Sequence, residues 1–190
     1  MMEGTVAPTQ RKKIHPHKFA LWVAMASIAM MFAGLTSAYI VRQAQGNWRL
    51  YDLPGIFTIS TAVILLSSLT MIMGLRAFKN RAMPRFKALI TITLILGTLF
   101  MCLQYWGFTQ LYASGIRVDG NPSESFLFII AGLHLLHIAG GVVALLIVFF
   151  KAFRTRIKIY NATGLEIVAA YWHFVDILWI YLFVFFLVNK

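Results

Sequence analysis

The sequence predicts an all-α, polytopic membrane protein: a bundle of five transmembrane helices, N-terminus cytoplasmic and C-terminus outside. Three observations carry that prediction. Composition is the first: 60% of the 190 residues are hydrophobic and 12% charged, with a mean hydropathy of +0.77, against ~45–50% apolar residues in a soluble domain. The second is that five stretches each supply the ~20 apolar residues needed to cross ~30 Å of hydrocarbon. The third is the one-sided placement of Lys and Arg between those stretches. The length suits one compact unit, read as a polar cytoplasmic tail over residues 1–17 and a single five-helix domain over residues 18–190.

The first span, Phe19–Val41, is longer than the ~15-residue apolar core of a cleaved signal peptide and reads as retained. The tail before it is polar and expected to be extended. Gly55–Leu75 is the second span, with Asp52 and Pro54 placed to open it. The third, Ala88–Ala113, holds the single cysteine, Cys102, and Gln104, which reads as a hydrogen-bonding group between helices. Pro122 and Ser123 can open the fourth, Phe126–Phe150. The fifth, Glu166–Val188, follows Thr163-Gly164-Leu165-Glu166, which has the T-x-x-E form of a capping box. Trp22, Trp48 and Trp106 lie near span ends, as in an interfacial aromatic belt. No internal repeat or low-complexity tract interrupts the pattern.

Basic residues set the orientation, because basic flanks stay in the cytoplasm. Arg11, Lys12, Lys13 and Lys18 precede the first span; Arg76, Lys79, Arg81, Arg85 and Lys87 lie between the second and third; Lys151, Arg154, Arg156 and Lys158 follow the fourth. That is 13 of the 17 basic residues on one side. The other side receives Arg42, Arg49, Arg117 and Lys190, offset by Asp52, Asp119 and Glu124. The formal charge of +11 is thus an insertion signal, and it gives no support to nucleic-acid binding. Basic loops of this kind also suit anionic lipid. The sequon Asn161-Ala162-Thr163 falls on the cytoplasmic side and reads as chance. A single cysteine excludes a disulfide framework, a CxxCH haem attachment and cysteine-based zinc or iron–sulfur sites.

Asp176 is the one carboxyl well inside a span, a costly placement that calls for a partner or a function. His173, three residues before it, shares its helix face, and Ala169 continues that face with a small side chain. The fourth span carries His134 and His137, also three apart, with the small Gly141 on the same stripe. At ~1.5 Å per residue, His137 and Asp176 both lie ~15–17 Å from their entry points, so they are expected at similar depth and able to pair. Three readings of this midplane cluster (His134, His137, His173, Asp176) compete: a polar set that fixes helix register, a proton-handling site, and metal or haem ligation. No set for nucleophilic catalysis is present.

These residues carry a resemblance. Tyr171-Trp172-His173-Phe174-Val175-Asp176, followed by Trp179, closely resembles the last-helix motif of subunit III of the haem-copper oxidases, with Glu166 at the start of the same helix. Gly132-Leu133-His134-Leu135-Leu136-His137 with Gly141, the run Leu96-Gly97 to Leu103-Gln104, and Gly34-Leu35-Thr36-Ser37-Ala38-Tyr39 resemble family segments in the three other expected places. The resemblance covers nearly the whole chain. It implies the last five helices of a seven-helix fold, in the five-helix form found especially among quinol oxidases. Longer members enclose a lipid-filled cleft with two extra helices, so the resemblance implies a closed cleft here only where another subunit supplies the missing wall. Two family glutamates are replaced, at Ile28 after Ser27 and at Gly107.

The resemblance further implies an accessory subunit with no catalytic residues, metal ligands or redox centre of its own, in the cytoplasmic (inner) membrane of a bacterium. Haem and copper belong to partner subunits of a complex that reduces oxygen and moves protons. The implied partners are catalytic subunit I and subunit II, then subunit IV or a larger respiratory supercomplex. The subunit would stabilise subunit I and support proton uptake. Lys151 and Arg154 fall where relatives contact lipid headgroups, so bound phospholipid is implied too. Under this reading ligation by the three histidines loses its standing. The alternatives are subunit III of a quinol oxidase and, from another class, a dihaem cytochrome b membrane anchor.

Overall fold

The computed structural model describes residues 16–48, 53–154 and 162–189. All five expected spans are helices: α1 (Pro16–Ala44), α2 (Ile56–Lys79), α3 (Met83–Ala113), α4 (Pro122–Arg154) and α5 (Thr163–Val188). Each is long and apolar enough to cross a membrane. They run longer than the hydropathy pattern at one or both ends, because a helix continues into the headgroup region while its backbone bonds remain satisfied. α1 starts at Pro16, where a first-turn proline has no needed N–H to lose, so the helix takes in residues assigned to the tail. Residues 1–15, Arg49, Asp52, Arg156, Lys158, Asn161 and Lys190 lie outside the described residues.

α2 and α3 form a tight antiparallel hairpin whose turn puts Arg81 at φ +57°. α3 packs on α4, α5 fits against α2 and α4, and α1 lies on α4 and α5, with no close backbone approach to α2 or α3 among the described residues. In lipid, apolar surface gives no drive for helices to associate, so shape and hydrogen bonds must hold the bundle. Trp172 and Trp179, two turns apart on the inner face of α5, supply both and are almost wholly buried. The Trp172 ring lies in a notch between α3 and α4: a Cβ on Gly97 would sit 2.7 Å from it, and one on Gly141 3.0 Å. Its Nε1–H donates to Ser67 Oγ on α2 (3.1 Å), and Trp179 Nε1–H donates to Thr61 Oγ1 (2.9 Å). Across the hairpin Gln104 Nε2 donates to Ser60 Oγ (3.0 Å), and the Thr70 and Thr93 hydroxyls pair at 2.8 Å. Gln104 is the interhelical hydrogen bonder the sequence predicts.

α1 is held at points along α5, with which it runs parallel. Thr36 pairs with the Tyr181 hydroxyl (2.8 Å), and Tyr39 OH donates to the Asn189 carbonyl (3.1 Å). At the opposite, basic end, Glu166 accepts ion pairs from Lys18 (2.7 Å) and Lys79 (2.8 Å), joining α1, α5 and α2. This corrects the capping-box expectation. The N-cap is Ala162, with no side-chain cap bond, because two ammonium groups offer the Glu166 carboxylate stronger charge-assisted bonds than a backbone N–H would. At the other end Asn121 Oδ1 accepts the Ser123 N–H (3.1 Å) ahead of α4, and the buried Glu124 accepts the Arg117 N–H (2.9 Å). Trp22 and Trp106 are largely exposed, as a belt requires, whereas Trp48 packs edge-on to Tyr39 (4.6 Å between centroids).

The notch makes a prediction. Gly97→Ala should destabilise the protein by about 1–3 kcal/mol, the usual cost of overpacking, because its Cβ meets a rigid ring that cannot swing away. Gly132→Ala, with open space around it, should leave the thermal midpoint in detergent unchanged or raise it. Equal midpoints for the two variants would contradict the notch.

Candidate functional site

Two contacts fix the antiparallel register of α4 and α5. His134 stacks on Trp179 (5.2 Å between centroids, 28° between planes), and the Gly141 backbone faces Trp172. That register sets His137 level with Asp176, as the depth estimate expects. Direct pairing does not occur. His137 Nδ1–H donates to the Leu133 carbonyl of its own helix (2.7 Å), and its ring meets Phe32 of α1 edge-on (5.7 Å). Equal depth fixes height along the bundle but leaves rotation about each helix axis open, and the two side chains leave their helices in different directions.

The four residues therefore divide into two groups. Asp176 and His173 share the seam between α5 and α2. Ser68 Oγ pairs with His173 Nδ1 at 2.7 Å and lies beside the Asp176 carboxyl. Neither Asp176 oxygen attains hydrogen-bonding geometry with any described residue, although the side chain is buried. His134, on the far side of Trp179, is enclosed by Phe32, Phe100 and Trp179, with neither ring nitrogen hydrogen-bonded to a described residue. Tyr171 links the groups mechanically: its hydroxyl donates to the His137 carbonyl (3.0 Å). The small residues expected to admit neighbours behave differently in degree. Gly141 admits Trp172 and Tyr171, and Ala169 is buried on α5.

Sequence reasoning missed α2 as the partner of the cluster. Ser60, Thr61, Ser67, Ser68 and Thr70 all point hydroxyls toward α3 or α5 or back to their own helix. The signal was present, because pairs of hydroxyl residues at 60/61 and 67/68 recur at two helical turns. The three histidines do not converge, and among the described residues no three His, Cys, Asp or Glu side chains are placed to hold a metal ion. Cys102 is exposed and unbonded. At Gly107 a Cβ would lie 2.8 Å from the Phe57 ring. Any side chain at this position would therefore have to displace the Phe57 ring.

The family model described as "Cytochrome c oxidase subunit III" matches residues 18–189. The chain belongs to the cytochrome c oxidase subunit III family. It is 32% identical over 164 residues to a probable cytochrome c oxidase subunit 3 of Nocardia farcinica (strain IFM 10152), covering 84% of this chain and 81% of the relative. To the cytochrome c oxidase subunit 3 of Bacillus sp. (strain PS3) it is 25% identical over 167 residues, 85% of this chain and 80% of the relative. A probable quinol oxidase subunit 3 of Staphylococcus aureus (strain USA300) is 26% identical over 173 residues, covering 88% and 86%. As a subunit III the chain has its role within an oxidase complex, as an integral membrane component.

For this subunit III the two histidine environments predict opposite responses. His173→Leu should lose the interhelical bond to Ser68 and cost about 0.6–1.7 kcal/mol. His134→Leu removes two buried ring nitrogens that have no hydrogen-bond partner among the described residues and keeps an apolar side chain against Trp179, so the unfolding midpoint should stay unchanged or rise. Chemical unfolding in mixed micelles reads both.

Proposed function

We propose that this chain is the accessory subunit III of a proton-pumping haem-copper terminal oxidase that takes electrons from cytochrome c. It stabilises the catalytic subunit and supports proton uptake. The single observation that carries the reading is the family match across residues 18–189, with the Tyr171–Asp176 motif inside it. Haem and copper reside in the partner subunits, of which subunit I and subunit II are the nearest, within a larger assembly that includes subunit IV or a supercomplex. The membrane is the bacterial cytoplasmic membrane, with the basic end facing the cytoplasm. Lys151 and Arg154, both exposed at the basic end of α4, contact lipid headgroups there.

Asp176 is the residue most suited to the proton-linked part of this role. It is buried near mid-depth, and the hydroxyl–imidazole pair of Ser68 and His173 stands beside it. His134, His137, Tyr171 and Trp172 support it by packing and by fixing the α4–α5 register. Glu166 serves at the basic end as an ionic tie between helices and has no capping role.

A second reading, subunit III of a quinol oxidase, is favoured by the similarity to the Staphylococcus aureus relative. It differs only in the electron donor. A dihaem anchor fits poorly, since bis-imidazole ligation needs two rings facing each other at one depth. The α4–α5 register sets His134 level with Trp179, nearly two turns from His173.

Two outcomes test the proposal. Affinity purification through this chain should bring down a haem-containing large subunit, and oxygen uptake driven by cytochrome c rather than quinol identifies the donor. In that complex Asp176→Asn should lower proton-coupled turnover, or the yield of assembled enzyme, without changing haem per complex. Haem lost from an otherwise intact complex would show that this chain takes part in ligation.

A further inference from the structure

The two carboxyls of α5 are handled in opposite ways. Glu166 sits at the basic end between two ammonium groups. Asp176 is 2% exposed, and neither of its oxygens has a hydrogen-bond partner among the described residues. A carboxyl so enclosed exchanges its proton only through a side chain that can reach it, because hydrocarbon carries none. Ser68 of α2 is the hydroxyl that adjoins it, and the same Oγ lies 2.7 Å from His173 Nδ1. His173 and Asp176 are three residues apart on one helix face, so one hydroxyl serves both. His173 is half-buried. Its second ring nitrogen, Nε2, bonds to no described residue and, unlike the Asp176 oxygens, is not sealed inside the chain. Ile177, one turn further on, is 66% exposed. Carboxyl, hydroxyl and imidazole thus run in order from the interior to the open edge of the α2–α5 seam.

The other titratable groups around α5 are engaged or remote. On α4, His134 lies beyond Trp179, and His137 is bonded to the Leu133 carbonyl of its own helix. Tyr171 donates to the His137 carbonyl, Tyr181 pairs with Thr36, and Tyr39 of α1 donates to the Asn189 carbonyl. Lys18 and Lys79 are held at Glu166, 10 residues from Asp176, or about 15 Å along the helix. Arg76 lies about two turns nearer the basic end than Ser68.

We propose that Ser68 and His173 form the proton path of Asp176, with His173 Nε2 as its outer terminal. This rests on the reading of Asp176 as the proton-linked residue. With Asp176 ionised, Ser68 O–H donates to the carboxylate and His173 Nδ1–H donates to Ser68 Oγ, which leaves Nε2 bare. A proton arriving at Nε2 from water within the complex forms an N–H bond there. Nδ1 then gives its proton to Ser68 Oγ, and Ser68 gives its own to Asp176. One proton is taken up and none is lost: the imidazole is neutral before and after, its hydrogen moved from Nδ1 to Nε2, and the carboxylate has become the acid. Release runs through the same steps in reverse. In the structure the Ser68–His173 bond is formed and the Ser68–Asp176 bond is not, so rotation of the Ser68 side chain gates the transfer. Among the described residues no second polar chain leads away from the carboxyl. The relay therefore makes Asp176 a store that loads and unloads at one edge, and not a channel across the bilayer.

The test uses the purified oxidase complex containing this chain, followed by time-resolved infrared spectroscopy after a caged proton is released by light. The Asp176 band is the carboxyl signal that disappears in Asp176→Asn. Ser68→Ala and His173→Leu should each slow its response by about 100-fold, the lower end of what a positioned proton-transfer group contributes. Ser68→Thr, which keeps a hydroxyl, should respond at the parent's rate. A Ser68–His173 bond with a structural role alone would lower the unfolding midpoint in Ser68→Ala and His173→Leu but leave the response rate unchanged, and that result overturns the relay. So does a band that no change of pH alters. The underlying reading fails separately: normal proton-coupled turnover of Asp176→Asn removes the proton-linked role, while the infrared rates still decide the relay.

Discussion

The bundle depends on one indole ring and the two glycines that admit it. Trp172 reaches from α5 across the interior, occupies the notch of Gly97 and Gly141, and donates its N–H to Ser67. Four helices meet at that side chain. In a soluble protein a buried tryptophan is held in large part because water rejects it. In lipid that term is nearly absent, and close fit with one directed hydrogen bond must do the same work. Trp179 repeats the device two turns further along, with His134 and Phe100 as walls and Thr61 as acceptor. Together they set the rotation and height of α5, and so the position of the polar groups between them.

Asp176 lies on the same helix within reach of the α2 hydroxyls, and its surroundings follow from the indoles on either side. The stripe that satisfies both tryptophans also supplies Ser68 to His173. Structural and chemical polarity are thus drawn from one set of hydroxyl residues on α2. His134 shows the opposite solution, a polar ring packed among the aromatic rings of Phe32, Phe100 and Trp179. The two groups of the cluster have different neighbours and need not share a task.

Much of this was legible in the sequence. The five spans are marked by hydropathy, since no other pattern crosses hydrocarbon with its backbone satisfied. Family membership is carried by Tyr171–Asp176 and three further segments. Depth was readable too, because rise per residue is constant, and His137 and Asp176 are level. Rotation was not, since it depends on which side chains find notches, and Gly97 becomes informative only once Trp172 is seen against it. The capping motif at Thr163–Glu166 misled for a related reason. A local pattern cannot register that Lys18 and Lys79, distant in sequence, compete for the same carboxylate. The hydroxyl pairs of α2 were visible as spacing, but their targets lie on other helices.

The attachment of α1 has a consequence for biogenesis. Its polar ties go to Glu166, Tyr181 and Asn189, all on or just after α5, and the Lys18–Glu166 bond closes a separation of 148 residues. During synthesis at ~5–20 residues per second, the first helix waits on the order of 7–30 seconds before the helix that holds these polar ties leaves the ribosome. Over that interval α2 and α3 can already pair as a local hairpin, and α1 has α4 for a neighbour but none of its ties to α5. Docking of the last helix is then the step that closes the bundle, and a nascent chain stalled before α5 would expose α1 to quality-control proteases.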